Sequence, residues 1–329
     1  MSIKLKGVEH LIHLIEDFLE VCTINIGLKL GIFDFLKEQP ASSTHLAENL
    51  NYRIELIQTW CETMRACGYL EKKDNQYSLT RWSKNFLWRK SRTYLGYIIQ
   101  SIDTFYPPFI SHDERFKREK TFPSYSSQHM LDIVKTIAPI AKYVVPQFFS
   151  EALFLKDDLN VLDVGCGLGS YLIAIAEQNP KIRGLGIDKE RIIIQKAEEL
   201  VKSKGLQDRI RFMQTDILNF NRSEKFNCII MSNILQAFNM ETDIQLLSQL
   251  SSNLTEAGSL IILECLIDES HATPKYGVLF NMYLRMESLN AQTYTLSELK
   301  SMLERGSFYF RSHKHIAPGL DLVIAQLVQ

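Results

Sequence analysis

Over the second half of the chain, short apolar runs alternate with longer stretches of helical period. Residues 161–164, 182–187, 209–213, 228–231 and 259–264 read as five strands, each too short for an ordinary helix. The first of them, Val161-Leu162-Asp163-Val164, has the character of a buried parallel strand. Three glycines and a helical stretch, 171–178, follow it. Past the fifth strand, 276–289 reads as a helix rich in Met and aromatic residues. Residues 295–303 form a clean amphipathic helix, with Thr295 and Glu298 spaced as a capping box. Residues 308–313 and 320–327 read as two last strands, paired as a hairpin at the sheet edge. The pattern predicts an α/β domain with a seven-stranded sheet starting near residue 159.

The first half reads differently. Apolar residues recur at helical spacing over 6–36, with breaks expected near Gly27 and Gly31. His10 and His13 lie three apart on one face of this helix, as expected of a helix surface rather than a metal pair. Ser42-Ser43-Thr44 starts a short helix that turns Leu46, Ala47 and Leu50 inward. A second helix spans 53–66 and ends at Gly68. Two short strands, 69–72 and 76–79, flank a turn at Lys73-Asp74-Asn75. Helix, helix, hairpin is a winged-helix order, and it delimits a mainly α-helical domain over 1–92. The second helix carries Ile54, Leu56, Ile57, Trp60 and Met64 but only Arg53 and Arg65 as cations. That face suits burial, against a second subunit for instance, and not a DNA groove.

Residues 93–154 read as mainly helical, opening a second domain over 93–329. Tyr106-Pro107-Pro108-Phe109 is a break, 115–120 a solvated run of mixed charge, and 122–127 a loop. Tyr94, Tyr97, Phe105, Tyr106, Phe109, Phe116, Phe122 and Tyr125 suit the wall of a pocket for a flat apolar ligand as well as an interdomain or dimer core.

The candidate chemistry sits at the strand ends. Gly165, Gly167 and Gly169 make a G-x-G-x-G turn between a strand and a helix, the opening unit of a Rossmann-like nucleotide-binding fold. Asp163 precedes them, where a carboxylate would repel a phosphate and suit an ammonium. Asp188 ends the second strand, where an acid commonly holds ribose hydroxyls. Asp216 follows the third, placed to accept from an adenine amine with Ile217 against the ring. An amine, a ribose and an adenine without a phosphate describe S-adenosylmethionine. The alternative is that the three acids cap helices.

Composition narrows the field. The chain has 329 residues, 46% of them hydrophobic, and a net charge of −1 from 37 basic and 38 acidic side chains. No global field favours nucleic acid or an anionic membrane. No window approaches the ~18 apolar residues of a membrane span. Glu9, Glu16 and Asp17 interrupt any signal-peptide pattern, and six scattered cysteines without a C-x-x-C pair fit reduced thiols in the cytoplasm better than a metal or disulfide framework.

On these residues the sequence resembles the class I S-adenosylmethionine-dependent methyltransferases of the plant caffeate and bacterial polyketide O-methyltransferase type. The likeness covers nearly the whole chain. It rests on Gly31-Ile32-Phe33-Asp34, His45-Leu46-Ala47, Ala66-Cys67-Gly68-Tyr69-Leu70 and Tyr77-Ser78-Leu79-Thr80 in the first half. In the second half it rests on Leu162 to Gly169, Asp188, Asp216-Ile217 and Leu263-Glu264-Cys265. The resemblance implies a homodimer through the N-terminal domain, acting on a small, aromatic or polyketide-like molecule. It places the cofactor at Asp163, Gly165, Gly167, Asp188, Asp216, Ile217 and Ser232, and the reaction in the stretch Ser232 to Phe238. Met282 and Met286 are candidate clamps on a flat substrate. No metal is implied.

At one position the chain departs from that pattern. The family has a catalytic histidine, usually followed by an acid, where this sequence has Gln236 and Ala237. Of the two glutamates that flank the histidine in the plant enzymes, Glu264 stands at the first position and Ala291 at the second. A phenol has a pKa of ~10 and must lose its proton near the moment of transfer. A glutamine amide orients or polarises but takes no proton at neutral pH. Three readings follow. The acceptor needs little deprotonation, another base such as His271, His112 or His129 serves, or the scaffold does other chemistry, hydroxylase-like, decarboxylating or purely regulatory.

Overall fold

The computed structural model describes residues 3–110, 126–149, 159–220 and 222–328. His112, the charge run 115–120, Phe116, Phe122 and Tyr125 lie outside the described residues. The chain forms two compact units, Met1–Thr104 and Phe105–Gln329. The first unit extends past the expected boundary at 92 because Tyr94 and Ile99 pack on its core.

The first unit opens with a long helix, α1 (Ile3–Leu30), followed by α2 (Ile32–Glu38), α3 (Ser43–Leu50) and α4 (Ile54–Ala66). A hairpin of β1 (Leu70–Lys73) and β2 (Gln76–Leu79) comes next, then the short helices α5 (Arg81–Phe86) and α6 (Gly96–Gln100). Ser42 and Thr80 start α3 and α5 by accepting the backbone N–H three residues on, as N-cap hydroxyls do. Asp74 and Asn75 take positive φ at the hairpin turn, where their short polar side chains are tolerated. Gly31 breaks the chain between α1 and α2, but Gly27 does not. The helix runs through Gly27 because the missing side chain lets the Trp60 indole lie against it. Trp60 Nε1 donates to the Thr23 carbonyl at 2.9 Å, and its ring meets Phe33 edge-on at 5.4 Å.

The apolar face of α4 is spent inside its own unit. Ile57, Trp60, Cys61 and Met64 are buried there with Ile32, Phe33, Leu46, Tyr77 and Leu79. Burial against a second subunit is therefore not the fate of this face; of its apolar residues only Leu56 is left well exposed.

The short helix α7 (Ile102–Phe105) runs across the boundary, and the second unit continues with α8 (Pro107–Ile110), α9 (Ser127–Ile137) and α10 (Ala141–Phe149). Then strands and helices alternate: β3 (Asn160–Val164), α11 (Ser170–Gln178), β4 (Arg183–Asp188), α12 (Arg191–Ser203), β5 (Ile210–Gln214), β6 (Phe226–Ser232), α13 (Met240–Ser251) and β7 (Leu254–Glu264). The chain ends with β8 (Leu266–Ile267), α14 (Lys275–Glu287), β9 (Tyr294–Thr295), α15 (Leu296–Arg305), β10 (Phe308–Ala317) and β11 (Leu320–Leu327). The main sheet has seven strands in the order β10-β11-β7-β6-β3-β4-β5. All pairings are parallel except those of β11 with β7 and β10. The capping box at the start of α15 is present, with Thr295 accepting from Glu298 N–H at 3.1 Å and Glu298 from Thr295 N–H at 2.7 Å.

Helices cover both faces of the sheet, which is why its central strands are apolar without alternation. One face packs Val161, Cys228, Ile230, Ile261 and Leu263 under Leu172, Ile175, Val144 and Val145. The other packs Leu162, Val164, Ile229, Met231, Leu260 and Ile262 under Leu246, Leu250, Met302 and Leu303. Side chains alternate along a strand, so Asp163 and Ser232 leave on the first face and Glu264 on the second.

Gly27→Val should lower the stability of the first unit by on the order of 1–3 kcal/mol, because the new side chain meets Trp60 and Phe33. Gly7→Ala, with nothing within 4 Å of the added carbon, should instead gain up to about 1 kcal/mol. Denaturant midpoints of the two variants should move in opposite directions.

Candidate functional site

The carboxyl ends of β3, β4, β5 and β6 meet over the glycine turn, where open α/β sheets bind ligands. Gly165, Gly167 and Gly169 have φ of 67°, 52° and 69°, a region open to glycine at no steric cost. Crowding adds to the requirement. A methyl at Gly167 would come within 2.7 Å of Val134 on α9, and one at Gly169 within 2.5 Å of Phe212. The turn bounds a crevice lined by Asp163, Gly165, Gly167, Tyr171, Ser232 and Asn233, roofed by Val134, Ile137 and Ala138.

Asp188 holds the turn in place. Its two oxygens accept Gly167 N–H at 3.1 Å and Glu190 N–H at 3.0 Å. Burial raises its proton affinity, and these two amides oppose the rise. The backbone of Thr215 donates to the Asp188 carbonyl at 2.9 Å, which brings Asp216 to the neighbouring strand end. Asp216 is exposed and caps a 3-10 turn, Ile217–Asn219, through Leu218 N–H at 3.0 Å, while Ile217 is buried beneath it.

Asp163 is served least. It is 1% exposed, and its Oδ2 has no hydrogen-bond partner. Burial, with the charge of Asp188 adding to it, pushes its pKa up to about 8. A buried carboxylate with an open acceptor calls for a cation or a proton. Among the described residues lining the crevice there is no basic side chain, which disfavours a phosphate there. An orphaned carboxylate, a close-approach turn and a second acid tied to that turn fit an amine-bearing nucleoside without phosphate.

Gln236 occupies a 3-10 turn, Leu235–Ala237, after β6. It is 9% exposed and its Oε1 has no partner. Glu264 closes β7 and accepts the N–H groups of Ile234 at 2.7 Å and Leu235 at 2.9 Å, both on Oε1; its Oε2 is unsatisfied. Gln236 and Glu264 line one gap together with Thr293 and Tyr294, too narrow for a water molecule. Burial pushes Glu264 up to about 8 despite those amides.

A second buried acid joins this group. Asp243, fully buried on the first turn of α13, accepts from the Tyr294 hydroxyl at 2.7 Å and is pushed by burial to about 7. The pattern of residues signalled neither partner, since Asp243 reads as an ordinary first-turn acid of a helix.

The remaining candidates are dispersed. Met286 is buried and Met282 is 39% exposed, and neither lines the crevice or the gap. His271 is exposed in a turn, while His129 sits on the first turn of α9. His13 pairs with Glu16 on the exposed surface of α1. His313 and His315 are tied to the buried Asp321 at 2.9 and 3.1 Å. Phe105 packs edge-on against Tyr283, and Tyr106 and Phe109 are exposed.

Parallel strands, an antiparallel last strand inserted beside β7 and an acid-flanked glycine turn define a Rossmann-like methyltransferase fold. Residues 155–311 match the methyltransferase domain family. The chain is 22% identical over 326 residues to 3-hydroxy-5-methyl-1-naphthoate 3-O-methyltransferase of Streptomyces sahachiroi, covering 92% of this chain and 90% of that protein. It is 20% identical over 319 residues to the N,N-dimethyltransferase OxyT of Streptomyces rimosus, covering 93% and 92%. The structure of human N-acetylserotonin methyltransferase in complex with S-adenosylmethionine superposes with a TM-score of 0.81 at 15% identity, covering 98% of each chain. Over nearly its whole length the chain is similar to S-adenosylmethionine-dependent small-molecule methyltransferases. It is a methyltransferase, and S-adenosylmethionine is its cofactor.

The three acids give the ligand-free protein a definite pH response. Asp163 and Glu264 at about 8 and Asp243 at about 7 bind protons more tightly folded than unfolded. A carboxyl raised by folding is tolerated while neutral and opposes the fold once ionised. Stability should therefore fall as pH rises from about 4 to about 8, measured by urea midpoints. Asp243→Asn should make that fall shallower between about pH 4 and pH 7 and leave the part above pH 7 unchanged.

Proposed function

We propose that the enzyme methylates a small aromatic or polyketide-like acceptor whose reacting atom needs little or no deprotonation. An acidic phenol or enol comes first, and a carboxylate, amine or activated carbon would also qualify. The observation that carries this reading is Gln236, a neutral amide in the turn after β6, backed by a buried Glu264 whose Oε1 is committed to two backbone amides. When bound, the cofactor supplies an electrophilic methyl group on a sulfonium. The chain's part is then alignment of the nucleophile. Gln236 offers a hydrogen bond and no proton-accepting site, and Glu264 holds the turn that carries it. The relatives support a small aromatic acceptor: one is named for O-methylation of a naphthoate and the other for N,N-dimethylation.

On the cofactor side, Asp163 receives the ammonium, Asp188 the ribose hydroxyls and Asp216 the adenine amine, with Ile217 against the ring. Gly165 and Gly167 allow the backbone to come close, and Ser232 lies at the amino-acid end. The first unit is a winged-helix dimerisation domain. Its long helix α1 exposes Leu11, Ile12, Ile15 and Leu19, an apolar stripe that a second copy of the chain would cover. Among the described residues no helix is long and apolar enough to cross a membrane. The free cysteines, four of them buried, suit the cytoplasm.

Turnover is read as S-adenosylhomocysteine released against a panel of hydroxynaphthoates and aminophenols of graded acidity. Rates should follow acceptor acidity. Gln236→His should raise the rate on weakly acidic phenols far more than on acidic ones, and Gln236→Ala should cost less than ~10²-fold. A loss beyond ~10⁴-fold in Gln236→Ala would overturn the orienting role.

Binding of S-adenosylhomocysteine near pH 7 should release a proton from Asp163, seen as calorimetric heats that depend on the buffer. Asp163→Asn should abolish that dependence. Light scattering should give a dimer, and Leu11→Lys with Ile15→Lys should give a folded monomer.

A further inference from the structure

Tyr171 is the second residue of α11, directly after the glycine turn, and is 8% exposed. Its hydroxyl ends a chain of donors. Asn233 Nδ2 donates to Ser232 Oγ at 3.3 Å, and Ser232 Oγ donates to the Tyr171 hydroxyl at 3.1 Å. Asn233 is held for this by a left-handed backbone, φ 56°, and by its N–H bond to the Leu263 carbonyl at 2.9 Å. Asparagine tolerates that conformation better than most residues. The Ser232 hydrogen goes to the phenol oxygen, and the phenol's own hydrogen goes no further. Among the described residues no acceptor takes the phenolic hydrogen of Tyr171. Burial and the neighbouring charge of Asp163 hold that proton on the phenol, so the group is a donor.

All of these residues line the crevice of the glycine turn, and so does Asp163 with its unpartnered Oδ2. An uncommitted donor and an uncommitted carboxylate in one crevice complement a zwitterion. The other side-chain donors of the described lining, the Ser170 hydroxyl and the second Asn233 amide hydrogen, are neutral, and among the described residues it has no basic side chain. In the turn itself, Cys166 N–H already goes to Ile187, Gly167 N–H to Asp188 and Gly169 N–H to Cys166. A tyrosine needed only for packing would serve as well as phenylalanine. This one brings a polar relay from β6 to the crevice.

We propose that Tyr171, oriented by Ser232 and Asn233, is the donor that binds the α-carboxylate at the amino-acid end of the cofactor and makes the enzyme select that carboxylate. Asp163 takes the ammonium of the same end. The inference rests on the cofactor-site reading given above and adds Tyr171 and Asn233 to it as specificity-determining residues. Its chemical content is a hydrogen bond from a neutral phenol to a carboxylate, in place of the cation that would ordinarily meet one.

The test is calorimetric binding of S-adenosylhomocysteine and of its decarboxylated analogue, which keeps the amine and lacks the carboxylate. Wild-type protein should prefer S-adenosylhomocysteine by about 10- to 100-fold, the range for one hydrogen bond to a charged group. Tyr171→Phe keeps the ring and removes only the donor. It should lose most of that preference while binding the analogue within about twofold of wild type. Ser232→Ala should lose part of the preference, because the relay is cut while the phenol remains.

Equal weakening of both compounds in Tyr171→Phe, or an unchanged preference, would overturn the assignment and leave the cofactor site standing. Failure of wild-type protein to bind either compound would overturn the cofactor-site reading and this inference together.

Discussion

Removal of water from carboxylates at one edge of a parallel sheet governs this structure. Asp163, Asp188, Asp243 and Glu264 are all at most 9% exposed, and no buried arginine or lysine offsets them among the described residues. Ionised carboxylates do not stay in such places without partners. The surrounding chain supplies what it can. Two amides meet Asp188, two meet Glu264, and the Tyr294 hydroxyl meets Asp243. Glu264 and Asp243 each keep one unpaired oxygen as well, but Asp163 is the one of the four to which no described residue donates. That ordering separates acids that build the site from the acid that waits for something from outside.

The pleat of the strands divides the labour further. Period-two alternation sends Asp163 and Ser232 to one face of the sheet and Glu264 to the other. The turn carrying Gln236 bridges the two, since it leaves β6 next to Ser232 and is pinned by Glu264 from β7. The crevice and the buried amide of Gln236 are thus set in neighbouring segments by backbone geometry, before any side chain is chosen. On the function proposed above, a residue without a proton-accepting atom there would change which acceptors react and leave the positioning of the methyl donor untouched.

The unusual feature of the crevice is how it handles charge without cations. Among the described residues one carboxylate, three hydroxyls and an amide line it beside backbone. Such a surface distinguishes ligands by where their own charges lie. It is hostile to a phosphate and receptive to an ammonium.

Much of this was legible in the order of residues. The strand ends could be read because apolar runs of four to six residues stop at or beside acids, and the turn because glycine is the residue best suited to left-handed positions and recurs there at every second residue. The capping box at Thr295 and Glu298 was visible because it depends on residues three apart. Gln236 could be placed by counting from β6. All these signals are local, and backbone periodicity and turn chemistry act over a few residues.

What the sequence could not disclose is what lies across the fold from what. Gly27 looks like a helix break until Trp60, from another helix, is seen to occupy the space its side chain would fill. Met286, read as a candidate substrate clamp, is buried, and α4 spends its apolar face within its own unit. Asp243 and Tyr294 stand 51 positions apart, and Tyr171 and Ser232 stand 61 apart. Sequence alone determined the elements and the acids at their ends. Tertiary structure alone decided which of those acids lose their water and which donors reach them, because desolvation is set by neighbours in space and not by neighbours along the chain.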